Sequence, residues 1–213
     1  MPVPFKLPRF YPILDTATLQ ARSFPVLKTG EALLAAGIKI LQYRHKDDWT
    51  QQHFDDAKNL AQRCQDAGVL FVLNDRADFA CLLRTALHLG QNDLPPVAAR
   101  RIISDEVMGF STHNRSQMKR AEEEPVEYLS IGPIFPTQSK LRPDPVVGLE
   151  SLRECRKLTP KPLVAIGGIT LDNALETLEA KADSLAILSG FLPDEDRPKD
   201  LRRRVDQWLT LLA

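Results

Sequence analysis

Short apolar runs punctuate the chain at residues 11–14, 38–43, 70–73, 86–89, 107–110, 128–131, 163–166 and 184–188. Rich in Val, Ile and Leu, they read as strands of a parallel sheet buried on both faces. Between them, residues 55–67, 115–124 and 171–180 carry apolar positions at helical spacing. Strands alternating with helices predict an α/β fold, and closure into a (β/α)8 TIM barrel with parallel strands uses all eight runs. An open doubly wound sheet is the alternative. Its dinucleotide-binding form has no support, because no Gly-x-Gly-x-x-Gly follows the first strand. The expectation is a single barrel domain over 1–213, with a core at about 10–191 and a C-terminal helix at about 197–212. It is compact beside the ~250 residues typical of the fold.

Helix starts agree with this reading. Asp47 or Asp48 ahead of Trp49, Asn114 after His113, and Thr170 with Asp172 are N-cap candidates. Gly37, Gly68 and Gly148 mark turns at element junctions. The longest expected loop, 139–148, holds Lys140, Arg142, Pro143, Asp144 and Pro145. It is either a lid or a plain solvated connection.

Composition narrows the setting. The 213 residues are 43% hydrophobic and 26% charged, enough apolar material for one well-packed domain. A formal net charge of zero argues against non-specific nucleic-acid binding, so any phosphate site must be basic locally. The first ten residues contain no apolar stretch of signal-peptide type, and no run approaches the ~20 residues of a membrane span. Cys64, Cys81 and Cys155 are widely spaced and read as reduced thiols in core or helix packing. A cytoplasmic protein is expected.

The chemistry gathers after the strands. The second ends Gln42-Tyr43-Arg44-His45-Lys46, and alternation puts Gln42, Arg44 and Lys46 on one side. An amide and two cations converging inward suit a di- or pyrophosphate. Asp75 and Asp93 end the third and fourth strands. Two hard carboxylates beside a phosphate site suggest Mg²⁺, although each could instead cap a helix. Ser111 and His113 follow the fifth strand, where Ser111 can donate to a phosphate oxygen and His113 can cap, bind or shuttle a proton. After the sixth comes Gly132-Pro133-Ile134-Phe135-Pro136-Thr137-Gln138-Ser139-Lys140, with two hydroxyls and an ammonium able to hold phosphate oxygens. Gly167-Gly168 and Leu188-Ser189-Gly190 end the last two strands and match the common barrel phosphate site. His53 reads as exposed and His88 as an interior or strand-end packing residue. No Ser-His-Asp, Cys-His or zinc arrangement can be assembled.

As a set, these segments resemble the thiamine-phosphate synthase family. The blocks that carry the likeness are Gln-Tyr-Arg-His-Lys (42–46), Phe-Val-Leu-Asn-Asp-Arg (71–76), His-Leu-Gly-Gln-Asn-Asp-Leu-Pro (88–95), residues 132–140, and Ala-Ile-Gly-Gly-Ile (165–169). The resemblance implies a Mg²⁺-dependent transferase that joins hydroxymethylpyrimidine diphosphate to a hydroxyethylthiazole phosphate by dissociative substitution, with release of pyrophosphate. It implies that Gln42, Arg44, Lys46, Asn74, Ser111 and Lys140 hold the pyrimidine diphosphate, with Arg44, Lys46 and Lys140 as the catalytic cations. It implies Asp75 and Asp93 as Mg²⁺ ligands, and Thr137, Ser139, Gly168, Leu188 and Ser189 around the thiazole phosphate. The partners implied are these small molecules, with no nucleic acid or membrane; a homo-oligomer is compatible.

Three departures from the family pattern stand out. Tyr43 occupies a common leucine position, Ser139 a common threonine position, and residues 122–127 replace a usual Gly-Ala-Asp run. The nearest rival is a thiazole tautomerase on the same fold, with His113 as its proton-transfer candidate. Gln42 and the 90–95 run are synthase-like and favour the transferase. A non-catalytic thiazole phosphate sensor is the second rival, and a leaving-group site of Asp75, Asp93 and Lys140 argues against it.

Overall fold

The computed structural model describes residues 6–103, 105–137, 145–194 and 197–213. Its strands are β1 (Phe10–Asp15), β2 (Ile40–Arg44), β3 (Leu70–Asn74), β4 (Ala86–Leu89), β5 (Met108–Thr112), β6 (Tyr128–Ile131), β7 (Leu163–Ile166) and β8 (Ser184–Ile187). The helices are α1 (Thr16–Ala21), α2 (Val26–Ala35), α3 (Gln51–Asp66), α4 (Ala77–Leu83), α5 (Pro96–Ala99), α6 (Arg115–Glu122), α7 (Gly148–Arg156), α8 (Ala174–Glu179) and α9 (Pro198–Leu211). Each strand pairs in parallel with the next, and β8 returns to β1 to close the barrel. The open-sheet alternative is thereby excluded.

The two-residue period of each strand sorts side chains between two apolar layers. In β2, Ile40, Gln42 and Arg44 alternate with Leu41 and Tyr43, which join the outer layer. The barrel interior is filled by Tyr11, Ile13, Ile40, Val72, Ala86, Tyr128, Val164 and Ala186, with Leu7 packed against them. The outer layer packs Leu14, Leu73, Leu129 and Leu185 against helix residues such as Leu33, Leu60, Met118 and Trp208. Cys64 and Cys155 are buried in that layer, whereas Cys81 is exposed on α4.

Several strands outrun their apolar residues. β2 continues to Arg44, β3 to Asn74 and β5 to Thr112, because the parallel ladder goes on pairing Asp15 with Arg44, Asn74 with His88 and Thr112 with Ile131. Backbone hydrogen bonding is indifferent to side-chain polarity, so the sheet delivers polar groups at its rim.

Caps differ from expectation at two of three helices. Asn114 caps α6 as expected, accepting from the Gln117 N–H at 2.9 Å. α3 is capped by Thr50, not Asp47 or Asp48; the Thr50 N–H donates to His53 Nδ1 at 3.2 Å, and the helix starts earlier than predicted. α8 is shorter than its apolar pattern and begins after Asn173, not Thr170 or Asp172. Asn173 Oδ1 accepts from the Thr170 N–H at 2.8 Å, spending residues 170–173 on a turn. Gly37, Gly68 and Gly148 adopt φ of 89°, 64° and 75°, as their junction positions require.

Candidate active site

The floor of the site is a hydrogen-bonded chain of buried polar side chains across the barrel. Gln42 Nε2 donates to Tyr11 Oη at 2.8 Å, and Tyr11 Oη lies 2.9 Å from Tyr128 Oη. Tyr128 Oη lies 3.0 Å from His88 Nδ1, His88 Nε2 lies 2.8 Å from Ser111 Oγ, and Ser111 Oγ lies 3.1 Å from Ser130 Oγ. One ordering satisfies every link: each hydroxyl donates onward, and a neutral His88 accepts at Nδ1 and donates from Nε2. Burial keeps His88 neutral by pushing its pKa down to about 4, and the nearby Lys46 and Arg44 charges push the same way against Asp93. Burial likewise drives the Tyr11 and Tyr128 hydroxyls far above their ordinary range. Gly109 makes room for this arrangement, since a Cβ there would meet Tyr128 Cζ at 2.1 Å. The expected packing role of His88 is thus that of a hydrogen-bonded hub.

Charged groups stand above the floor. Asp75 follows β3 in the left-handed region at φ 66°, a conformation Asp tolerates better than most residues. Its N–H donates to His88 O at 2.8 Å, and its Oδ2 receives Lys46 Nζ at 2.5 Å. Asp75 also hydrogen-bonds Asp93. Burial, then that contact, push the Asp75 pKa up to about 6 against the pull of Lys46. Burial raises Asp93 too, but hydrogen bonds from Asp75 and the Gly90 N–H, with the Lys46 charge, hold it below the usual carboxylate range. The pair is therefore poised to share one proton, Asp75 donating and Asp93 accepting.

Neither carboxylate caps a helix. Asp93 Oδ2 accepts from the Gly90 N–H at 2.7 Å and closes its own turn, while α5 starts behind Pro95. Among the described residues, no group of three or more His, Cys, Asp or Glu side chains is arranged so that it could hold a metal ion. A cation held here would have two protein carboxylates at most, which suits a hydrated Mg²⁺ shared with phosphate oxygens.

Arg44 behaves differently from Lys46. Its Nη1 donates to Asp15 Oδ2. Asn74 is buried with Nδ2 unpartnered among the described residues. An orphaned buried N–H costs ~1–3 kcal/mol unless a ligand accepts from it.

On the far side, the segments after β6 and β7 are laced together. Ile134 N–H donates to Ile166 O at 2.9 Å, and Phe135 N–H to Gly167 O at 3.0 Å. Gly168 sits at φ 68°, and a Cβ there would fall 2.6 Å from Pro136 O. Only glycine combines that dihedral with that approach. Thr137 is half-buried at the end of the described run, whereas Ser139, Lys140 and most of the expected lid lie outside the described residues. Leu188 packs on the interior cluster, and Ser189 is exposed beyond β8, its carbonyl accepting from the Leu192 N–H at 3.0 Å.

His113 Nδ1 lies 2.7 Å from Gly132 O. A carbonyl only accepts, so Nδ1 carries the proton and the ring ties β5 to the segment after β6. His53, expected to be exposed, is half-buried and stacked on His45 with ring centroids 3.7 Å apart. Sequence reasoning passed over Asp15 and the Tyr11–Tyr128 link. The signal was available in Tyr11-x-Ile13-x-Asp15, whose period of two points all three inward.

A closed parallel barrel whose rim carries Arg44, Lys46 and the Asp75–Asp93 pair defines the class: a (β/α)8-barrel enzyme with charged side chains gathered on the face after its strands. A family model described as thiamine monophosphate synthase matches residues 10–191, and the chain belongs to that family. A thiamine-phosphate synthase of Koribacter versatilis is 43% identical over 213 residues, covering 97% of each chain. One of Chloroflexus aurantiacus is 35% identical over 189 residues, 88% of this chain and 87% of that protein. Among solved structures, thiamine phosphate pyrophosphorylase from Pyrococcus furiosus superposes with a TM-score of 0.83 at 28% identity, covering 96% of this chain and 95% of that one.

Proposed function

We propose that this chain is a thiamine-phosphate synthase, joining 4-amino-2-methyl-5-hydroxymethylpyrimidine diphosphate to a hydroxyethylthiazole phosphate and releasing pyrophosphate. The observation that carries the reading is Lys46 bonded to one member of the Asp75–Asp93 pair at the barrel rim. Asp75 and Asp93 would hold Mg²⁺; their contact concentrates hard, anionic oxygen that a divalent ion compensates better than one proton does. When bound, the metal supplies positive charge where the departing diphosphate becomes most negative.

The chain's own residues act on the same demand. Arg44 and Lys46 offer preorganised cations to the leaving group, and Lys140 is the third cation assigned to it. Gln42, Asn74 and Ser111 orient the pyrimidine diphosphate, and the unpartnered Asn74 Nδ2 gains an acceptor from it. Ser111 exchanges its bond to Ser130 for a phosphate oxygen. Thr137, Ser139, Gly168, Leu188 and Ser189 receive the thiazole phosphate. The thiazole nitrogen is a neutral nucleophile that needs no base, in keeping with a neutral His88 and a tethered His113. The chain works as one barrel domain on small molecules in a cytosolic setting. No helix among the described residues is long and apolar enough to cross a membrane.

The test is incubation with both substrates, with Mg²⁺ or with EDTA, while pyrophosphate is followed. Metal-dependent release is expected. Isomerisation of a thiazole carboxylate without pyrophosphate would establish the tautomerase instead, and binding without turnover the sensor.

A further inference from the structure

Two cations and three carboxylates crowd the mouth of the barrel, and their pairing is selective. Lys46 takes Asp75, and Asp75 leans on Asp93. Arg44 takes neither. Asp15 ends β1, directly opposite Arg44 in the parallel register, and is only 4% exposed. Both of its carboxylate oxygens are committed. Oδ1 accepts from the Thr18 N–H at 2.9 Å and the Thr18 hydroxyl at 2.7 Å, fixing the side chain as the cap of α1. Oδ2 accepts from Arg44 Nη1.

Among the described residues Asp15 is the only hydrogen-bonding partner of the Arg44 side chain, which is 17% exposed. A guanidinium carries five N–H donors, so most of the Arg44 fork stays free on the inward side of β2, where its charge reaches His88. A carboxylate anchored by a helix start cannot follow a moving arginine, and this makes it a fixed post.

We propose that Asp15 is a positioning residue for the diphosphate half of the reaction. It holds Arg44 across the mouth with its free N–H groups facing the leaving group, and it keeps that cation off the Asp75–Asp93 pair, which stays available to the metal. This rests on the synthase reading. Without the Asp15 charge, Arg44 has the same two rim carboxylates as its alternative partners, and it would compete there with Mg²⁺.

Asp15→Asn separates the two duties of the residue, because asparagine caps helices about as well as aspartate but carries no charge. With folding checked by melting temperature, KM for the pyrimidine diphosphate is expected to rise about tenfold, the scale of one charge-assisted hydrogen bond losing its alignment. KM for the thiazole phosphate is expected to stay within about twofold, since that site is built from other strands. Affinity for Mg²⁺ with inorganic pyrophosphate, measured by calorimetry, should fall by a similar factor whether or not turnover is seen. An inactive parent that still binds pyrophosphate would sink the synthase reading and leave this one measurable. In an Arg44→Ala background, Asp15→Asn should add little, because Asp15 acts through Arg44. If Asp15→Asn does not fold, Asp15→Glu, which keeps the charge but moves it by a methylene, is read by the same calorimetry and should lose less affinity. Unchanged pyrophosphate binding in a folded variant, equal rises in both KM values, or an undiminished effect without Arg44 would overturn the proposal.

Discussion

Asp75 and Asp93 are chemically identical side chains, yet one holds its proton to about pH 6 while the other is held below the usual range. Depth and partners make the difference, and each consequence can be measured. Asp93→Asn keeps the acceptor for the Gly90 N–H but removes a charge from the pair. Activity at limiting Mg²⁺ should drop by roughly 10–100-fold, the range for a damaged metal site, and excess Mg²⁺ should restore part of it. Full turnover at limiting Mg²⁺ would refute the metal assignment.

Stability should respond to pH through two opposing groups. Asp75 holds its proton more tightly folded than unfolded, rising from 3.8 to about 6, so its contribution is present below pH 3.8 and lost as pH climbs through 6. His88 falls from 6.5 to about 4, so its contribution is present above pH 6.5 and lost as pH drops toward 4. The two offset each other between these limits. If Asp75 and Asp93 hold Mg²⁺ as proposed, the ion displaces the Asp75 proton and leaves His88 unopposed. Urea midpoints at pH 7 and 5 should therefore fall more steeply with Mg²⁺ present than without it, and identical slopes would contradict this.

At the scale of elements, the segments after β6 and β7 act as one unit, because their backbones bond directly and approach too closely for a side chain at Gly168. Gly168→Ala should cost about 1–3 kcal/mol in backbone strain and raise KM for the thiazole phosphate more than KM for the pyrimidine diphosphate. Equal steady-state constants for variant and parent would show that the close approach is dispensable. The segment between β2 and α3 is clasped in another way. His45 stacks on His53, Trp49 packs edge-on against His45 at 5.5 Å, and Thr16 Oγ1 lies 2.7 Å from His45 Nδ1. This cluster on the outer side of β2 anchors the turn from which Lys46 reaches Asp75.

For the whole molecule, α9 covers the seam where β8 meets β1. Trp208 is fully buried, its ring stacks on Phe10 at 5.8 Å and 8°, and its Nε1 donates to Gly190 O at 3.1 Å just beyond Ser189. Trp208→Ala should destabilise the protein by ~3–5 kcal/mol. That corresponds to a melting temperature lower by on the order of 10 °C for a chain of this size. A melting point unchanged within error would show that α9 is peripheral to closure.

The apolar pattern alone pointed to eight parallel strands and to Gln42 and Arg44 sharing one side of β2, because strand period and burial are written in local sequence, whereas closure into a barrel rather than an open sheet came from β8 pairing with β1. The polar residues at the rim were legible too, as they follow apolar runs at strand ends. What the sequence could not convey is pairing across the barrel. Asp15 meets Arg44 only because β1 and β2 align in one register, and Tyr11 meets Tyr128 across the lumen over 117 residues of chain. Helix starts at Thr50 and Asn173 were settled by hydrogen bonds competing locally, among several residues of equal capping propensity. Proton affinities at Asp75, Asp93 and His88 likewise belong to the fold, since burial and neighbouring charge exist only once the barrel has closed.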